Sequence, residues 1–127
     1  MGTVVFTNGC FDLLHPGHID LLKRAKELGT RLVVGINSDA SVRRIKGADR
    51  PFTNEKERAE ILSAISAVDE VIVFDEPTPE RLIKELKPDV LVKGGDWKPE
   101  EIIGSDFVIA CGGKVVSLPF LDGYSSS

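Results

Sequence analysis

Apolar positions along the chain alternate between two rhythms. Short, nearly continuous aliphatic runs occupy residues 4–6, 32–36, 71–74, 90–92 and 115–118 and are rich in Val and Ile, the composition of strands buried on both faces. Between them the apolar residues spread out to helical intervals. Ile19, Leu22, Ala25 and Leu28 recur every three residues and stop at Gly29, which predicts a first helix with a glycine C-cap. Asn54 with Glu57 has the form of a capping box, and Ala59, Leu62 and Ile65 supply the buried stripe of the helix behind it. Thr78-Pro79 offers an N-cap and first helical residue for a further helix, with Leu82, Ile83 and Leu86 facing inward and Pro88 ending it.

Strand and helix thus alternate throughout, with no internal repeat, linker or low-complexity tract. The pattern predicts an α/β, Rossmann-like, doubly wound, five-stranded parallel sheet with helices on both faces, its strands joined by right-handed crossovers. Such sheets bind ligands at the carboxyl ends of their strands. A length of 127 residues suits one domain, residues 1–127, with a continuous core.

Charge and composition narrow the function. A formal net charge of −4 argues against a general nucleic-acid surface, which needs clustered Lys and Arg. No apolar run reaches the length of a membrane span, and the first residues lack the form of a signal peptide. Met1-Gly2 would suit myristoylation, but Phe6 stands where Ser or Thr is required. Cys10 and Cys111 are too few and too far apart for a disulfide scaffold and read as free thiols. The expectation is a cytoplasmic protein that binds anions locally.

The local chemistry centres on His15-Pro16-Gly17-His18, which contains both histidines of the chain. This turn lies between the first strand and the first helix, where backbone N–H groups and the positive helix end can hold a phosphate chain. Two imidazoles at i and i+3 lie on one side and can donate to phosphoryl oxygens as charge develops on them. The strand before the turn ends in Thr7-Asn8-Gly9-Cys10-Phe11-Asp12, forming one wall of the predicted crevice, with Gly9 permitting close backbone approach to a ligand. Neither a dinucleotide G-x-G-x-x-G fingerprint nor a P-loop occurs, so the phosphates need another cradle. Cys10, His15 and His18 lack a clear fourth ligand for zinc, and no metal site is expected from protein side chains alone.

The residues Gly9-x-Phe11-Asp12-x-x-His15-x-Gly17-His18 resemble the signature of the nucleotidyltransferase superfamily that includes cytidylyltransferases and pantetheine-phosphate adenylyltransferase. The resemblance extends through Asn37-Ser38-Asp39, Lys46-Gly47, Arg50-Pro51, Leu91-Val92-Lys93-Gly94-Gly95-Asp96-Trp97 and Asp122-Gly123-Tyr124-Ser125-Ser126, which look like the adenylyltransferase domain that makes ADP-heptose. It implies transfer of AMP from ATP to D-glycero-β-D-manno-heptose 1-phosphate with release of pyrophosphate, a step in the supply of lipopolysaccharide core heptose. Phe120 stands where glycerol-phosphate cytidylyltransferases usually carry arginine, which disfavours that relative. Many members are fused to a sugar kinase; this sequence has no kinase half, which implies a separate heptose kinase. The family's chain continues past the Ser/Thr stretch into a helix that helps bind phosphates, so the expectation here is that this helix is missing or replaced. Similar proteins often pair, which implies a homodimer.

The resemblance makes His15 and His18 the groups that contact phosphates and stabilise the transition state. Lys46 joins them as a catalytic cation. Lys46 and Arg50 fall in a Gly- and Pro-bearing stretch expected to be poor in helix and able to close over the triphosphate; the alternative is a pair of solvated loop charges. Thr7, Asn8, Gly9, Cys10, Phe11, Gly17, Arg50, Lys93, Gly94, Gly95, Asp96, Trp97, Tyr124, Ser125 and Ser126 are the candidate nucleotide-binding residues. Gly94-Gly95 with Asp96 and Trp97 would face a base or ribose, or else form a tight turn with a packed tryptophan. Asp12 and Asp39 face the acceptor sugar or only cap turns. Mg²⁺ is expected to be held mainly by the nucleotide phosphates. The residues leave open a cytidylyltransferase acting on an alcohol phosphate such as glycerol 3-phosphate, and a nucleotide-binding module that turns nothing over.

Overall fold

The computed structural model of the protein describes residues 2–9, 11, 14, 16–47, 54–95 and 98–119. Its strands are β1 (Val4–Gly9), β2 (Arg31–Asn37), β3 (Glu70–Phe74), β4 (Val90–Gly94) and β5 (Lys114–Leu118). They form one parallel sheet in the order β3-β2-β1-β4-β5. Its helices are α1 (Pro16–Lys26), α2 (Asp39–Lys46), α3 (Glu55–Ser63), α4 (Glu80–Leu86) and α5 (Ser105–Ala110), with a short 3₁₀ turn at Pro99–Glu101. The chain winds outward from β1 in one direction through β2 and β3 and in the other through β4 and β5. That reversal opens a crevice beyond the carboxyl ends of β1 and β4.

Side-chain alternation distributes each strand between two cores. Val5, Leu32, Val34, Ile36, Val90 and Val92 point to one face, where they meet Leu21, Leu22 and Ala25 of α1 and Leu62 of α3. Phe6, Val33, Leu91 and Phe74 point to the other face, against Leu82 and Ile83 of α4 and Val108 of α5. The two-sided aliphatic runs read from the sequence therefore reflect two helical layers. Gly35 in β2 is required by this packing, because a Cβ there would sit 2.8 Å from Cζ of the fully buried Phe6.

The amino ends of the strands are pinned by carboxylates. Asp89 accepts from Val4 N–H at 2.8 Å through Oδ2, donates its own N–H to Val4 O at 2.9 Å, and accepts from Lys114 N–H at 2.8 Å. Asp69 accepts from Leu32 N–H at 2.7 Å and pairs with Lys26. The hydrogen bond and charge of Lys26 and the Leu32 N–H hold the Asp69 carboxyl below its ordinary range. One end of the sheet is thus closed by short polar staples.

Several helix boundaries differ from the sequence expectation. Helix α1 ends at Lys26, and Gly29 lies beyond it rather than at the C-cap; a Cβ there would sit 2.6 Å from Thr3 O. The buried stripe of α1 is His18, Leu21, Leu22 and Ala25, while Ile19 and Leu28 are exposed, because the three-residue spacing drifts around a 3.6-residue helix. Pro79 is the N-cap of α4 and makes no side-chain cap bond, so the helix begins at Glu80, one residue later than predicted. Asn54 does cap α3, accepting from Glu57 N–H at 2.9 Å. Helices α2 and α5 carried no periodic signal strong enough to predict them. Lys46 accordingly closes a helix instead of lying in a helix-poor stretch.

Candidate active site

The carboxyl end of β1 divides its residues between the two faces. Thr7, buried, continues the Val5 side toward α1, whereas Asn8 continues the Phe6 side toward α4 and α5. Thr7 pairs with Val92, so the next residues along the two strands are Asn8 and Lys93, which share a face. Together with Thr78, Pro79, Glu101, Ile102 and Ile103 they line an open cleft of about 280 Å³. Lys93, Gly94 and Gly95 are half-buried at the end of β4. Gly95 has φ +104°, donates to Leu118 O at 2.8 Å and accepts from the Ser117 hydroxyl, so the β4 exit is a glycine turn tied to β5.

On the other face, α1 begins at Pro16, whose missing N–H is no loss at a first helical position. Gly17 and His18 are buried in its first turn, which carries no acidic residue, while Lys23, Arg24 and Lys26 stand in its last. With no acidic residue in the first turn, the positive amino end of the helix dipole favours anions. Phe11 precedes it with φ +49° and is 7% exposed. Its ring meets that of His18 in a T-shaped contact, centroids 5.4 Å apart and planes at 65°. Gly9 is adjacent to the same ring, since a Cβ at Gly9 would lie 3.0 Å from Phe11 Cε2. The missing side chain at Gly9 thus also makes room for the Phe11 ring.

Beyond β2, Asn37-Ser38-Asp39 forms a polar lock. Ser38 caps α2 by accepting from Ser41 N–H at 3.1 Å, and its hydroxyl donates to Asp75 Oδ1 at 2.5 Å. Asn37 Nδ2 donates to Ser41 Oγ at 3.0 Å, and Ser41 Oγ donates to Glu76 O at 3.1 Å. Arg58 reaches in from α3, giving Nη1 to Asn37 O at 2.7 Å and Nη2 to Asp39 Oδ1 at 2.9 Å. Asp39 N–H in turn donates to Glu55 Oε1 at 3.0 Å. Sequence reasoning missed Arg58, although it stands four residues before Leu62 and so on the same buried stripe.

The structure therefore brings Thr7, Asn8, Gly9, Phe11, Gly17, His18, Lys93, Gly94 and Gly95 to the carboxyl side of the β1–β4 switch point, and Asp39 to the adjoining β2 exit. Cys10, Asp12, His15, Arg50, Asp96, Trp97, Tyr124, Ser125 and Ser126 lie outside the described residues, as does the side chain of Lys46. Cys111, the other thiol, is free and exposed. Among the described residues no trio of His, Cys, Asp and Glu is gathered as a metal site, and no helix is long and apolar enough to cross a membrane.

The family model described as cytidylyltransferase-like matches residues 6–127, nearly the whole chain. The chain belongs to the cytidylyltransferase-like family. This nucleotidyltransferase is 57% identical over 125 residues to the bifunctional protein HldE of Syntrophotalea carbinolica, covering 98% of the chain and 26% of that protein. It is 52% identical to the bifunctional protein HldE of Coxiella burnetii, again over 98% of the chain and 26% of the relative. The chain thus spans about a quarter of the length of these curated relatives. A solved structure, the lipopolysaccharide core biosynthesis protein of Thermoplasma volcanium, superposes with a TM-score of 0.76 at 30% identity and covers 100% of this chain and 99% of its own. Pantothenate synthetase of Thermus thermophilus shares the fold at a TM-score of 0.64 and 17% identity, over 94% of this chain and 56% of its own.

Proposed function

We propose that this nucleotidyltransferase transfers AMP from ATP to D-glycero-β-D-manno-heptose 1-phosphate, giving ADP-heptose and pyrophosphate. The observation that carries the reading is the 57% identity with a bifunctional HldE across 98% of the chain, which takes in the sequence features that resemble the ADP-heptose-forming domain. The similarity to a lipopolysaccharide core biosynthesis protein over its full length supports the same pathway.

The chemistry suits the site. A sugar phosphate with a second pKa of about 6 is largely dianionic near neutral pH, so its oxygen can attack the α-phosphorus without a protein base. A bond forms from that oxygen to the α-phosphorus as the bond to the β-phosphate oxygen breaks, and pyrophosphate leaves with the electron pair. The protein's task is to hold two anions in line and to neutralise charge that shifts toward the leaving group. In this reading His18, in the first turn of α1, and the amino end of that helix supply the neutralisation, and the family resemblance adds His15, Lys46 and Arg50. The cleft between Asn8, Thr78, Lys93 and Glu101 offers polar groups of both signs to a small hydroxylated acceptor. In this reading Asp12 and Asp39 face that acceptor, while the nucleotide lies along Gly9, Gly17 and the Gly94-Gly95 turn. Mg²⁺, held mainly by the nucleotide phosphates, would screen their charge when bound. The enzyme acts in the cytoplasm as a homodimer, with a kinase activity supplying the sugar phosphate.

The test is pyrophosphate release with Mg²⁺, crossing ATP and CTP against heptose 1-phosphate and glycerol 3-phosphate. Release only with ATP and heptose 1-phosphate is expected. Release only with CTP and glycerol 3-phosphate would make the protein a cytidylyltransferase, and silence in all four would leave a binding module.

A further inference from the structure

Phe11 combines features that folding alone does not require. A bulky residue at φ +49° occupies the left-handed region, where a side chain crowds its own backbone. Such strain persists only where the surrounding structure enforces it, and it gathers at functional sites. Here the left-handed turn directs the ring back from the loop into the core shared by β1 and α1, where it is 7% exposed. Within that core it meets one polar side chain in an aromatic contact, the imidazole of His18, itself 7% exposed in the first turn of α1. Gly9 leaves the space the ring needs, because a Cβ there would approach it to 3.0 Å.

We propose that Phe11 is a positioning residue, whose strained backbone and edge contact set the orientation of the His18 ring toward the phosphates, with Gly9 as its clearance. The proposal rests on the nucleotidyltransferase reading of the site. An aromatic contact of this geometry restricts the tilt of the imidazole. A donor in charge stabilisation must meet the transition-state oxygen within a few tenths of an ångström, so a ring free to tilt forfeits most of its effect. Without Phe11 the imidazole would still be present but would lose this edge contact.

The experiment is a double-mutant cycle of Phe11→Leu and His18→Ala in the full chain, read as kcat and as KM for ATP. Leu keeps an apolar side chain but not the ring. Phe11→Leu alone is expected to lower kcat about 10- to 100-fold with little change in KM, and to cost nothing further once His18 is Ala. Equal losses in both backgrounds, or a change confined to KM, would overturn the proposal, because a purely structural role acts whether or not His18 is present. A second readout is independent of turnover. The imidazole resonances of His18, assigned by comparison with His18→Ala, are expected to shift in Phe11→Leu and also in Gly9→Ala, which crowds the ring. Unchanged resonances would overturn the proposal even in an active enzyme. A wild-type chain silent with every nucleotide would count against the functional reading alone, and the resonances would still decide the contact.

Discussion

Arg58 of α3, 1% exposed, donates through Nη2 to Oδ1 of Asp39 at 2.9 Å, although Asp39 opens a different helix. The pair joins α3 to α2 across the exit of β2, and Arg58 also holds Asn37 O at 2.7 Å. A guanidinium can bridge two such acceptors in a fixed plane, which a lysine cannot. Helix α2, which ends in the candidate phosphate-binding Lys46, is thereby oriented by residues at its opposite end.

Removing Asp39 takes a carboxylate at 2.9 Å away from a buried cation. Asp39→Ala is therefore expected to destabilise the protein by about 3 kcal/mol, toward the low end for broken buried pairs because Asp39 retains some solvent contact. Urea unfolding measures it, and the double variant with Arg58→Leu should lose less than the sum of the two single changes. Additive losses would show that the two side chains do not act as a pair.

His18→Ala is expected to reduce kcat by about 10²- to 10³-fold, the effect of losing one donor to transition-state charge. Pyrophosphate release at saturating substrate is the measurement. Turnover equal to wild type would remove His18 from the mechanism.

Gly35→Ala should destabilise the fold without touching a ligand. Its Cβ would meet Phe6 at 2.8 Å, with Phe74 Cε1 at 3.3 Å, and Phe6 is fully buried in the core facing α4 and α5. Overpacking of this kind costs about 1–3 kcal/mol. The urea midpoint should fall with the slope of the transition unchanged.

Acid should weaken the staple at the other end of the sheet. The Asp69 carboxyl is held below its ordinary range first by the Lys26 hydrogen bond and then by the Leu32 N–H. The folded protein thus binds this proton less tightly than the unfolded chain. Its stabilisation is complete above the unfolded value of about pH 4 and is lost as pH falls through the lower folded value. The stability difference between wild type and Asp69→Asn, followed by urea unfolding from pH 7 to pH 3, should shrink below about pH 4. A difference that stays constant over that range would separate Asp69 from the acid response.

Legibility varied from element to element for physical reasons. The strands were plain because both faces of the sheet are covered, so their aliphatic runs are unbroken. Helix α2 was hidden because its sequence, Asp39-Ala40-Ser41-Val42-Arg43-Arg44-Ile45-Lys46, buries little besides Ser41 and Val42 and leaves Ile45 half exposed. Its capping serine, Ser38, was present in the sequence but had no apolar stripe behind it to support a helix. Arg58 was overlooked because charge suggests solvent, whereas its partners, Asn37 and Asp39, lie about twenty residues away along the chain.

By itself the sequence determined the alternation of strand and helix, the parallel sheet, and the glycine and histidine residues of the candidate phosphate-binding turn. These follow from local spacing, which acts over a few residues and is written directly into the order of side chains. Only the tertiary structure decided that Asn8 and Lys93 line one cleft, that Arg58 orients α2, and that Phe11 lies against His18. Each of those depends on which distant segments come to share one end of the sheet. That is set by strand order and side-chain volume, and no interval along the chain encodes it.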